Sequence, residues 1–292
     1  MKILVTGATG FIGSRLTRTL VGEHTVFAPT RRTSPELGAD VRWIRADLSG
    51  DTGFAQSFPS GIDAVLYLAQ SVHYREFPEK SHDIFNVNVK GLFGVLEYAR
   101  NAGAKMVLLS SSANVYERCD GPITENSRVC PDTFYSRTKR IGELLLESYA
   151  DYFHCIVLRL FSVYGPGQKG MLIPDLIDKV RSGSPITVRG KQGLRLSPVF
   201  VDDVCMLIRR FLSGDHSPGY DIFNVGGLEP LSILEIGESI GKVLGRKPRF
   251  EYQGGEEQKG WVADVRKIGN ICNLKEFHTF RDGLEKTAGG EA

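Results

Sequence analysis

The amino-acid sequence predicts an α/β fold in which a doubly wound parallel sheet is joined to a smaller, discontinuous α/β lobe. Two observations lead to this prediction. Short apolar runs alternate with segments of helical length through the first half of the 292 residues, and these runs are rich in Val, Ile and Leu. Strands that alternate with helices form parallel sheets, and strands covered on both faces have this composition.

The apolar runs of the first half divide into six predicted strands, each too short for a typical helix. They cover residues 2–5, 25–28, 41–44, 64–68, 106–109 and 155–160. The segments between them predict helices at residues 10–21, 81–102 and 134–152.

The character of the sequence changes after Gly165, where Gly and Pro cluster in YGPGQKG and again in VRGKQG. We therefore expect the chain to leave the sheet and to build a smaller lobe there. A helix near residues 202–212 and a strand near 221–225 are expected to return to the larger domain. The predicted larger domain is 1–165 plus about 199–225, and the predicted lobe is about 166–198 plus 226–292.

Composition and charge argue against several classes of function. The chain has 36 Lys and Arg against 34 Asp and Glu, a net charge of +2, which does not predict a nucleic-acid or membrane-surface partner. No run approaches the roughly 18 apolar residues that span a bilayer, and the first residues lack a signal-peptide pattern. The five cysteines are scattered without a CxxC pair, so we expect reduced thiols, no metal site and a cytoplasmic location.

The strongest local pattern is KILVTGATGFIG, in which a strand leads through Gly7, Gly10 and Gly13 directly into a helix. Glycines let the backbone turn tightly and approach a pyrophosphate, and the N-terminus of the helix presents free N–H groups to the anion. The same glycines would also suit a tight turn without a ligand. Their place between a strand and a helix predicts a dinucleotide-binding site in the larger domain.

Two other strand ends affect the choice of cofactor. Asp47 and Leu48 follow the third strand, where a carboxylate can accept a hydrogen bond from adenine and Leu48 can pack on the ring; a turn-forming Asp is the alternative. At the end of the second strand, an acidic residue typically binds the ribose hydroxyls of NAD, whereas Arg accommodates the 2′-phosphate of NADP. The chain has Arg31 and Arg32 there. We therefore expect NADP(H), with NAD(H) as the alternative.

Three residues form the predicted catalytic group: Ser112 in LLSSSANVY, and Tyr135 and Lys139 in YSRTK. Residues four apart share one face of a helix, so the ammonium of Lys139 is expected to lower the pKa of the Tyr135 phenol. Tyr135 would then move a proton to or from a carbinol oxygen that Ser112 also holds. A nicotinamide would exchange the hydride. Glu143, one turn beyond Lys139, is expected to be an exposed ion-pair partner of little energetic value.

Seven patterns together resemble the extended short-chain dehydrogenase/reductases of the NAD-dependent epimerase/dehydratase family, over nearly the whole chain. They are TGATGFIG, NVKG (88–91), SSSANVY, YSRTK, LRLFSVYGPGQ (158–168), RLSPVFVDDV (195–204) and FNVGG (223–227). The last three are characteristic of members that act on nucleotide-diphosphate sugars.

The resemblance implies a Rossmann-type fold, a nucleotide-diphosphate sugar as substrate, a substrate-binding role for the smaller lobe, and a homodimer that pairs helices 81–102 and 134–152. The third serine of the family's SSS run is catalytic and corresponds to Ser112. The Arg before VDD contacts the substrate and corresponds to Arg195. The other predicted cofactor-binding residues are Thr9, Phe11, Ile12, Leu68, Ala69, Gln70 and Asn88, with Tyr135 and Lys139; the other predicted substrate-binding residues are His73, Ser112, Asn114 and Ser162.

Departures from the family's patterns narrow the activity. Ala113 and Asn114 stand where sugar 4,6-dehydratases have an Asp-Glu pair, so we do not expect a dehydratase. Ser162 replaces a nucleotide-holding Asn, which leaves the nucleotide open, and Thr30 replaces an Asp of NAD-retaining epimerases. A 4-epimerase and a 4-ketoreductase remain equally favoured. A dehydrogenase of a non-sugar ketone and a non-catalytic dinucleotide sensor are less favoured, the first because six cations of the lobe suit a diphosphate: Lys169, Lys179, Arg181, Arg189, Lys191 and Arg195.

Overall fold

The computed structural model describes residues 1–32, 40–256 and 259–289. The chain divides into two compact units. Unit 1 contains Met1–Glu117, Arg128–Arg159 and Ile208–Phe223, and unit 2 contains Arg118–Ser127, Leu160–Leu207 and Asn224–Ala292. The sequence predicted a first domain boundary near residue 165. Which segments bind the cofactor and which bind the substrate remains a prediction.

The elements are numbered here in chain order. The strands are β1 (Lys2–Thr6), β2 (Thr25–Thr30), β3 (Arg42–Arg45), β4 (Ala64–Tyr67), β5 (Met106–Ser112), β6 (Pro122–Ile123), β7 (His154–Leu160), β8 (Val163–Tyr164), β9 (Ile186–Arg189), β10 (Arg195–Leu196), β11 (Val199–Phe200), β12 (Gly219–Val225), β13 (Leu231–Ser232), β14 (Phe250–Gln253) and β15 (Val262–Ala263). The α-helices are α1 (Phe11–Leu20), α2 (Ser81–Phe85), α3 (Gly91–Asn101), α4 (Phe134–Glu147), α5 (Leu172–Ser182), α6 (Val201–Leu212), α7 (Ile233–Leu244) and α8 (Phe280–Gly289).

A seven-stranded sheet forms the centre of unit 1, in the order β12-β7-β5-β4-β1-β2-β3. The pairings from β3 through β2, β1 and β4 to β5 are all parallel. Ile3 lies opposite Val26 of β2 and Ala64 of β4. Side chains of β1, β4 and β5 are buried along nearly their whole length, which explains why these strands read as continuous apolar runs. The predicted α/β fold class is therefore confirmed.

The sequence located each of the predicted strands to within a few residues but missed some of their ends. The main difference is at β5, which was predicted to stop at residue 109 and instead continues to Ser112. The reason is that Ser110 and Ser111 are buried despite their hydroxyl groups, so the strand does not end where its apolar residues end. As a result the predicted catalytic serine is the last residue of a strand instead of a loop residue.

Helix α4 of unit 1 begins at a capping box. Thr133 caps α4, because its side chain accepts a hydrogen bond from the Ser136 N–H and Ser136 returns one to the Thr133 backbone. Helices α2 and α3 form one continuous segment, joined by a π-helical turn over Asn86–Lys90. Helix α4 ends at Glu147 and not at the predicted residue 152, because the chain turns there so that Tyr149 can pack on Phe153 and donate to Glu97.

Unit 2 contains helices α5, α7 and α8 and several short paired strands. Strand β14 pairs in parallel with β9, β11 with β8, and β15 with β6, whereas β10 and β13 are antiparallel. An aromatic cluster forms part of its core: the Tyr164 ring lies 5.7 Å from that of Phe200 and 5.3 Å from that of Phe280. Among the helices described in either unit, none is long and apolar enough to cross a membrane.

Candidate active site

The turn after β1 is built so that only glycine fits at two of its positions. Gly7 has φ +70°, and a Cβ at that residue would lie 2.8 Å from the Ala69 amide nitrogen. A Cβ on Gly13 would lie 2.0 Å from the Gly7 carbonyl oxygen. The turn is closed by a hydrogen bond of 2.9 Å from the Gly10 N–H to the same oxygen. The loop therefore presents bare backbone at the carboxyl end of β1, as a phosphate-binding turn requires.

The N-terminus of α1 follows this turn directly. Its cap residue, Gly10, has no side chain to accept hydrogen bonds from the first N–H groups, and the first helical turn carries no acidic residue. Thr9 and Gly10 are exposed, and Phe11 and Ile12 are half-buried. These N–H groups and the positive end of the helix dipole suit an anion. The residues present here thus fit the pyrophosphate of a dinucleotide.

The ends of β2 and β3 lie next to this turn in the sheet. Thr30 accepts a hydrogen bond from the Arg32 N–H at 3.2 Å and donates to the Arg32 carbonyl at 2.7 Å, and both Arg31 and Arg32 are exposed. Burial opposes ionisation of Asp47, but hydrogen bonds from Ser49 and the charge of Arg31 outweigh it, so the pKa of Asp47 is below its usual value. The side chain of Asp47 is thus an ionised acceptor near a guanidinium, and the neighbouring Leu48 is buried.

Ser112, Tyr135 and Lys139 come together at the carboxyl end of β5. The Lys139 ammonium donates to the Ser110 carbonyl at 3.0 Å and lies 5.8 Å from the centroid of the Tyr135 ring. Ser112 makes a side-chain hydrogen bond with Tyr135 and accepts another from the Asn114 N–H at 3.2 Å. The structure therefore brings together the three residues that the sequence proposed as catalytic. The backbone N–H of Asn114, a predicted substrate-binding residue, helps to orient the serine.

The protonation states of this group differ from the expectation. Burial raises the pKa of Tyr135 to about 12, a shift that the hydrogen bond with Ser112 opposes and the neighbouring Tyr74 reinforces. Burial also lowers the pKa of Lys139 to about 8, which the charge of Glu143 opposes. The expected lowering of the phenol pKa by Lys139 is absent in the protein alone, because removal of both groups from water dominates.

The segment that follows β4 covers Tyr135. The Tyr135 hydroxyl donates to the Gln70 side-chain oxygen at 3.1 Å, and the Tyr74 ring lies 5.1 Å from the Tyr135 ring. The predicted pocket residue His73 is half-buried, with its Nδ1 2.8 Å from Glu76. Sequence reasoning assigned Gln70 to the cofactor and did not place it on the predicted catalytic tyrosine. The available signal was that Gln70 follows β4 by three residues, on the edge of the sheet where β5 also ends.

The backbone N–H groups of the residues before and after Gln70 connect the segment to the rest of the site. Leu68 is half-buried, and the N–H of the buried Ala69 donates to Thr6 at 3.2 Å. Asn88 is buried; its amide oxygen accepts from the Ser71 N–H at 3.1 Å and its amide nitrogen donates to Thr138 at 3.0 Å. Asn88 thus ties this segment to the helix that holds Lys139. Its predicted contact with a cofactor remains a prediction.

The expectation that Glu143 is an exposed ion-pair partner is wrong. Its side chain is fully buried, and it accepts from Arg159 at 2.9 and 2.7 Å, from Ser111 at 2.5 Å and from Arg140 at 2.9 Å. Sequence periodicity did not reveal this, because the partner residue Arg159 lies on β7, in a strand that otherwise reads as apolar.

Two predicted substrate-binding residues belong to unit 2. Ser162 is in the left-handed region with φ +48°, a conformation that is uncommon for residues other than glycine. Arg195 is exposed on β10 and donates to the Pro230 carbonyl at 3.1 Å. No group of three or more metal-binding side chains occurs in the parts of the chain that the structure describes.

Comparisons with known proteins agree with these features. The model of the NAD dependent epimerase/dehydratase family matches residues 3–226. A dTDP-4-dehydro-6-deoxy-D-allose reductase of Streptomyces bikiniensis is 30% identical over 315 residues, which cover 98% of this chain and 94% of the reductase.

Two solved structures are similar over almost the whole chain. The UDP-glucuronic acid 4-epimerase from Bacillus cereus, in complex with UDP-glucuronic acid and NAD, is 26% identical with a TM-score of 0.85, covering 99% of this chain and 98% of the epimerase. MoeE5, in complex with UDP-glucuronic acid and NAD, is 28% identical with a TM-score of 0.84 and the same coverage of 99% and 98%.

Proposed function

The chain belongs to the NAD-dependent epimerase/dehydratase family, and from this membership we propose that it is an oxidoreductase acting at the C4 carbinol or ketone of a nucleotide-diphosphate sugar. The observation that supports the proposal most strongly is the grouping of Ser112, Tyr135 and Lys139 at the end of β5. The relatives named above act on or bind UDP- or dTDP-sugars.

In the proposed reaction Tyr135 gives a proton to the C4 oxygen of a ketone or takes one from the carbinol. Ser112, already hydrogen-bonded to Tyr135, holds the same oxygen. The Lys139 ammonium stabilises the phenolate that remains after the proton is transferred. A bound nicotinamide would supply or accept the hydride. Gly7, Gly10 and Gly13 with the first N–H groups of α1 would hold the pyrophosphate, as their shape and polarity allow.

The preferred cofactor in this proposal is NADP(H), with NAD(H) as the alternative. Thr30 is the last residue of β2, and its hydroxyl is hydrogen-bonded to the backbone of Arg32. An acidic residue at this strand end would bind the ribose hydroxyls of NAD, but this chain has Thr30, Arg31 and Arg32 there. Arg31 also lies close enough to Asp47 to affect the pKa of its carboxyl. The similar solved structures contain NAD, which supports the alternative.

The choice of cofactor bears on which of two activities the site performs. A 4-ketoreductase consumes NADPH with each turnover, whereas a 4-epimerase retains its NAD and returns the hydride to the other face of the sugar. The β2 end favours the reductase, and the NAD-containing epimerase structure favours the epimerase. A 4,6-dehydratase is not proposed, because Ala113 and Asn114 offer no carboxylate after Ser112.

A homodimer is also proposed, formed by the helices that flank the site in unit 1. Helices α2 and α3 pack on α4, and four large apolar side chains on these helices are exposed: Phe85, Phe93, Ile141 and Leu144. A second copy of the chain would bury them in an isologous contact. We place the protein in the cytoplasm, since its five cysteines are scattered, odd in number and without a CxxC pair, and the exposed Cys130 is a free thiol.

The dinucleotide that copurifies with the protein tests this proposal. The wild-type protein is purified without added cofactor and denatured, and the released dinucleotide is identified by mass spectrometry. A protein that releases none and then binds NADPH more tightly than NADH supports the ketoreductase, and Arg31→Ala should remove that preference. NAD released at about one per subunit supports the epimerase and overturns the preference for NADP(H). Binding of neither dinucleotide overturns the whole proposal.

A further inference from the structure

A carboxylate and a guanidinium are buried together directly behind the catalytic group. Glu143 on α4 and Arg159 on β7 are 0% and 1% exposed, and two hydrogen bonds of 2.9 and 2.7 Å join them. The Arg159 guanidinium also lies 4.6 Å from the centroid of the Tyr116 ring. A pair of apolar side chains of the same volume would pack there at no electrostatic cost. Because burying the two charges costs desolvation free energy, packing alone does not explain the pair, and a role in the neighbouring site is suggested.

The carboxylate touches the two elements that carry the catalytic group. Its Oε1 accepts from Ser111 at 2.5 Å, and Ser111 is the residue before Ser112 on β5. Glu143 is also four residues after Lys139 on the same helix, so the two side chains are neighbours on one face. Glu143 thus connects the end of the serine strand with the helix of the tyrosine and the lysine.

The charges around Lys139 give this contact a chemical consequence. The groups that face the ammonium are Tyr135 and Glu143 from α4 and the Ser110 carbonyl from β5. Burial lowers the pKa of Lys139 to about 8, and the charge of Glu143 opposes the shift. Without that charge the ammonium would lose its proton at a still lower pH.

Other groups face Glu143 itself and fix its position. Arg140 donates to it from the same helix at 2.9 Å, Arg159 from β7, and Ser111 from β5. The Tyr220 hydroxyl of β12 donates to its backbone carbonyl at 3.4 Å. The exposed Glu147 lies one turn further along α4.

We propose that Glu143, held in place by Arg159, is a positioning residue that supplies the counter-charge of Lys139 and sets the end of β5 against α4. The inference rests on the proposed catalytic role of Lys139. Glu143 acts through Lys139 and Ser111 and touches no reacting atom. The proposed chemistry of a serine, a tyrosine and a lysine would then depend in this chain on a fourth residue, a buried carboxylate.

The titration of Lys139 tests the proposal independently of activity. Protein labelled with ¹³C at lysine Cε is titrated by NMR, and the Lys139 signal is assigned from its loss in Lys139→Met. In Glu143→Gln the midpoint should fall by at least about one pH unit relative to the wild type. The matched control is Glu147→Gln, which makes the same chemical change one turn away and should leave the midpoint in place.

A second variant keeps the test valid if Glu143→Gln does not fold because Arg159 is left unpaired. In Glu143→Gln/Arg159→Met both buried charges are absent, and the midpoint of Lys139 should still fall, because Glu143 is the charged side chain that opposes the loss of its proton. An unchanged midpoint in either folded variant overturns the proposal. A lowered midpoint in a protein that turns over no nucleotide sugar supports the role of Glu143 and overturns the proposed function instead.

Discussion

At the residue scale, the site combines a tyrosine whose pKa is raised with a lysine whose pKa is lowered. The half-buried Tyr135 lies against the Tyr74 ring of the segment after β4, and its hydroxyl donates to Gln70. A phenol with a pKa of about 12 is a proton donor throughout the neutral range. A proton donor is what the ketone oxygen needs in the reductive direction of the proposed reaction.

The first prediction at this scale concerns Tyr135→Phe. This change removes the group that transfers the proton, so kcat should fall by about 10²- to 10⁴-fold, while dinucleotide binding stays within about threefold of the wild type. Steady-state rates and a fluorescence titration with NADPH measure the two quantities. The matched control is Tyr152→Phe, since Tyr152 is exposed and lies beyond the end of α4. Wild-type turnover by Tyr135→Phe would remove this residue from the mechanism.

The second prediction concerns pH. The ammonium form of Lys139 is present below its pKa of about 8 and is lost as the pH rises through that value. Tyr135 keeps its proton to about 12, so the proton donor is present on both sides of the transition. For ketone reduction, kcat/KM should therefore fall above about pH 8. A profile that stays flat to about pH 10 would show that Lys139 is not needed in its charged form.

Sequence reasoning at this scale identified the residues better than their environments. Tyr135 and Lys139 were predicted from their spacing, because residues four apart on a helix share a face, taken together with the glycine turn upstream. Ser112 was predicted from its place after a strand and from its correspondence to the family's third serine. The pKa of Tyr135 was predicted in the wrong direction, because it depends on burial by segments distant in sequence. Glu143 was misjudged for the same reason: its partners Ser111 and Arg159 are 32 and 16 residues away.

At the element scale, β1, the glycine turn and α1 form a motif that has no room for a side chain at Gly7 and Gly13. The N-terminus of α1 has no side-chain cap, and the turn before it has glycine where the backbone comes closest. This combination is readable from sequence, because the glycines and the flanking strand and helix are local features. The ends of β5 and α4 were less predictable, since buried serines and the packing of Tyr149 decide them.

Gly13→Ala tests this unit. The new Cβ would lie 2.0 Å from the Gly7 carbonyl oxygen, which is backbone and cannot move aside cheaply. Either the turn or the helix must shift, so the affinity for the dinucleotide should fall at least about tenfold, or about 1.4 kcal/mol. Gly53→Ala is the control, because a Cβ at Gly53 meets nothing within 4 Å. Equal affinity in the two variants, measured by isothermal titration calorimetry, would place the pyrophosphate elsewhere.

At the scale of the whole molecule, the sequence indicated two regions, and the structure divides the chain into two compact units. The near-zero net charge and the lack of long apolar runs led to the expectation that nucleic acid and membrane are not partners, and this stays a prediction. Partner contacts are harder to predict, since an amphipathic helix packs equally well within one chain or against another. The exposed faces of α3 and α4 became visible only when the burial of each residue was known.

The proposed dimer predicts a change of mass on substitution. Phe93 and Leu144 are 45% and 47% exposed on neighbouring helices. The wild type should sediment at about twice the chain mass of 32.3 kDa, and Phe93→Glu/Leu144→Glu at the mass of one chain, because two buried charges oppose association. Tyr252→Glu, at an exposed aromatic residue of β14, is the control and should remain dimeric. A monomeric wild type in sedimentation equilibrium would contradict the proposed contact.

The central claim, hydride and proton transfer at C4 of a nucleotide sugar, is tested most directly by NMR of the sugar products. The wild type is incubated with UDP-glucuronic acid and NAD, and separately with dTDP-4-dehydro-6-deoxy-D-allose and NADPH, which are a substrate and a ketosugar of the relatives named above. The account predicts a new configuration at C4 in the first mixture or reduction of the ketone in the second, and neither in Tyr135→Phe. Two unchanged mixtures with folded, dinucleotide-binding protein would contradict it.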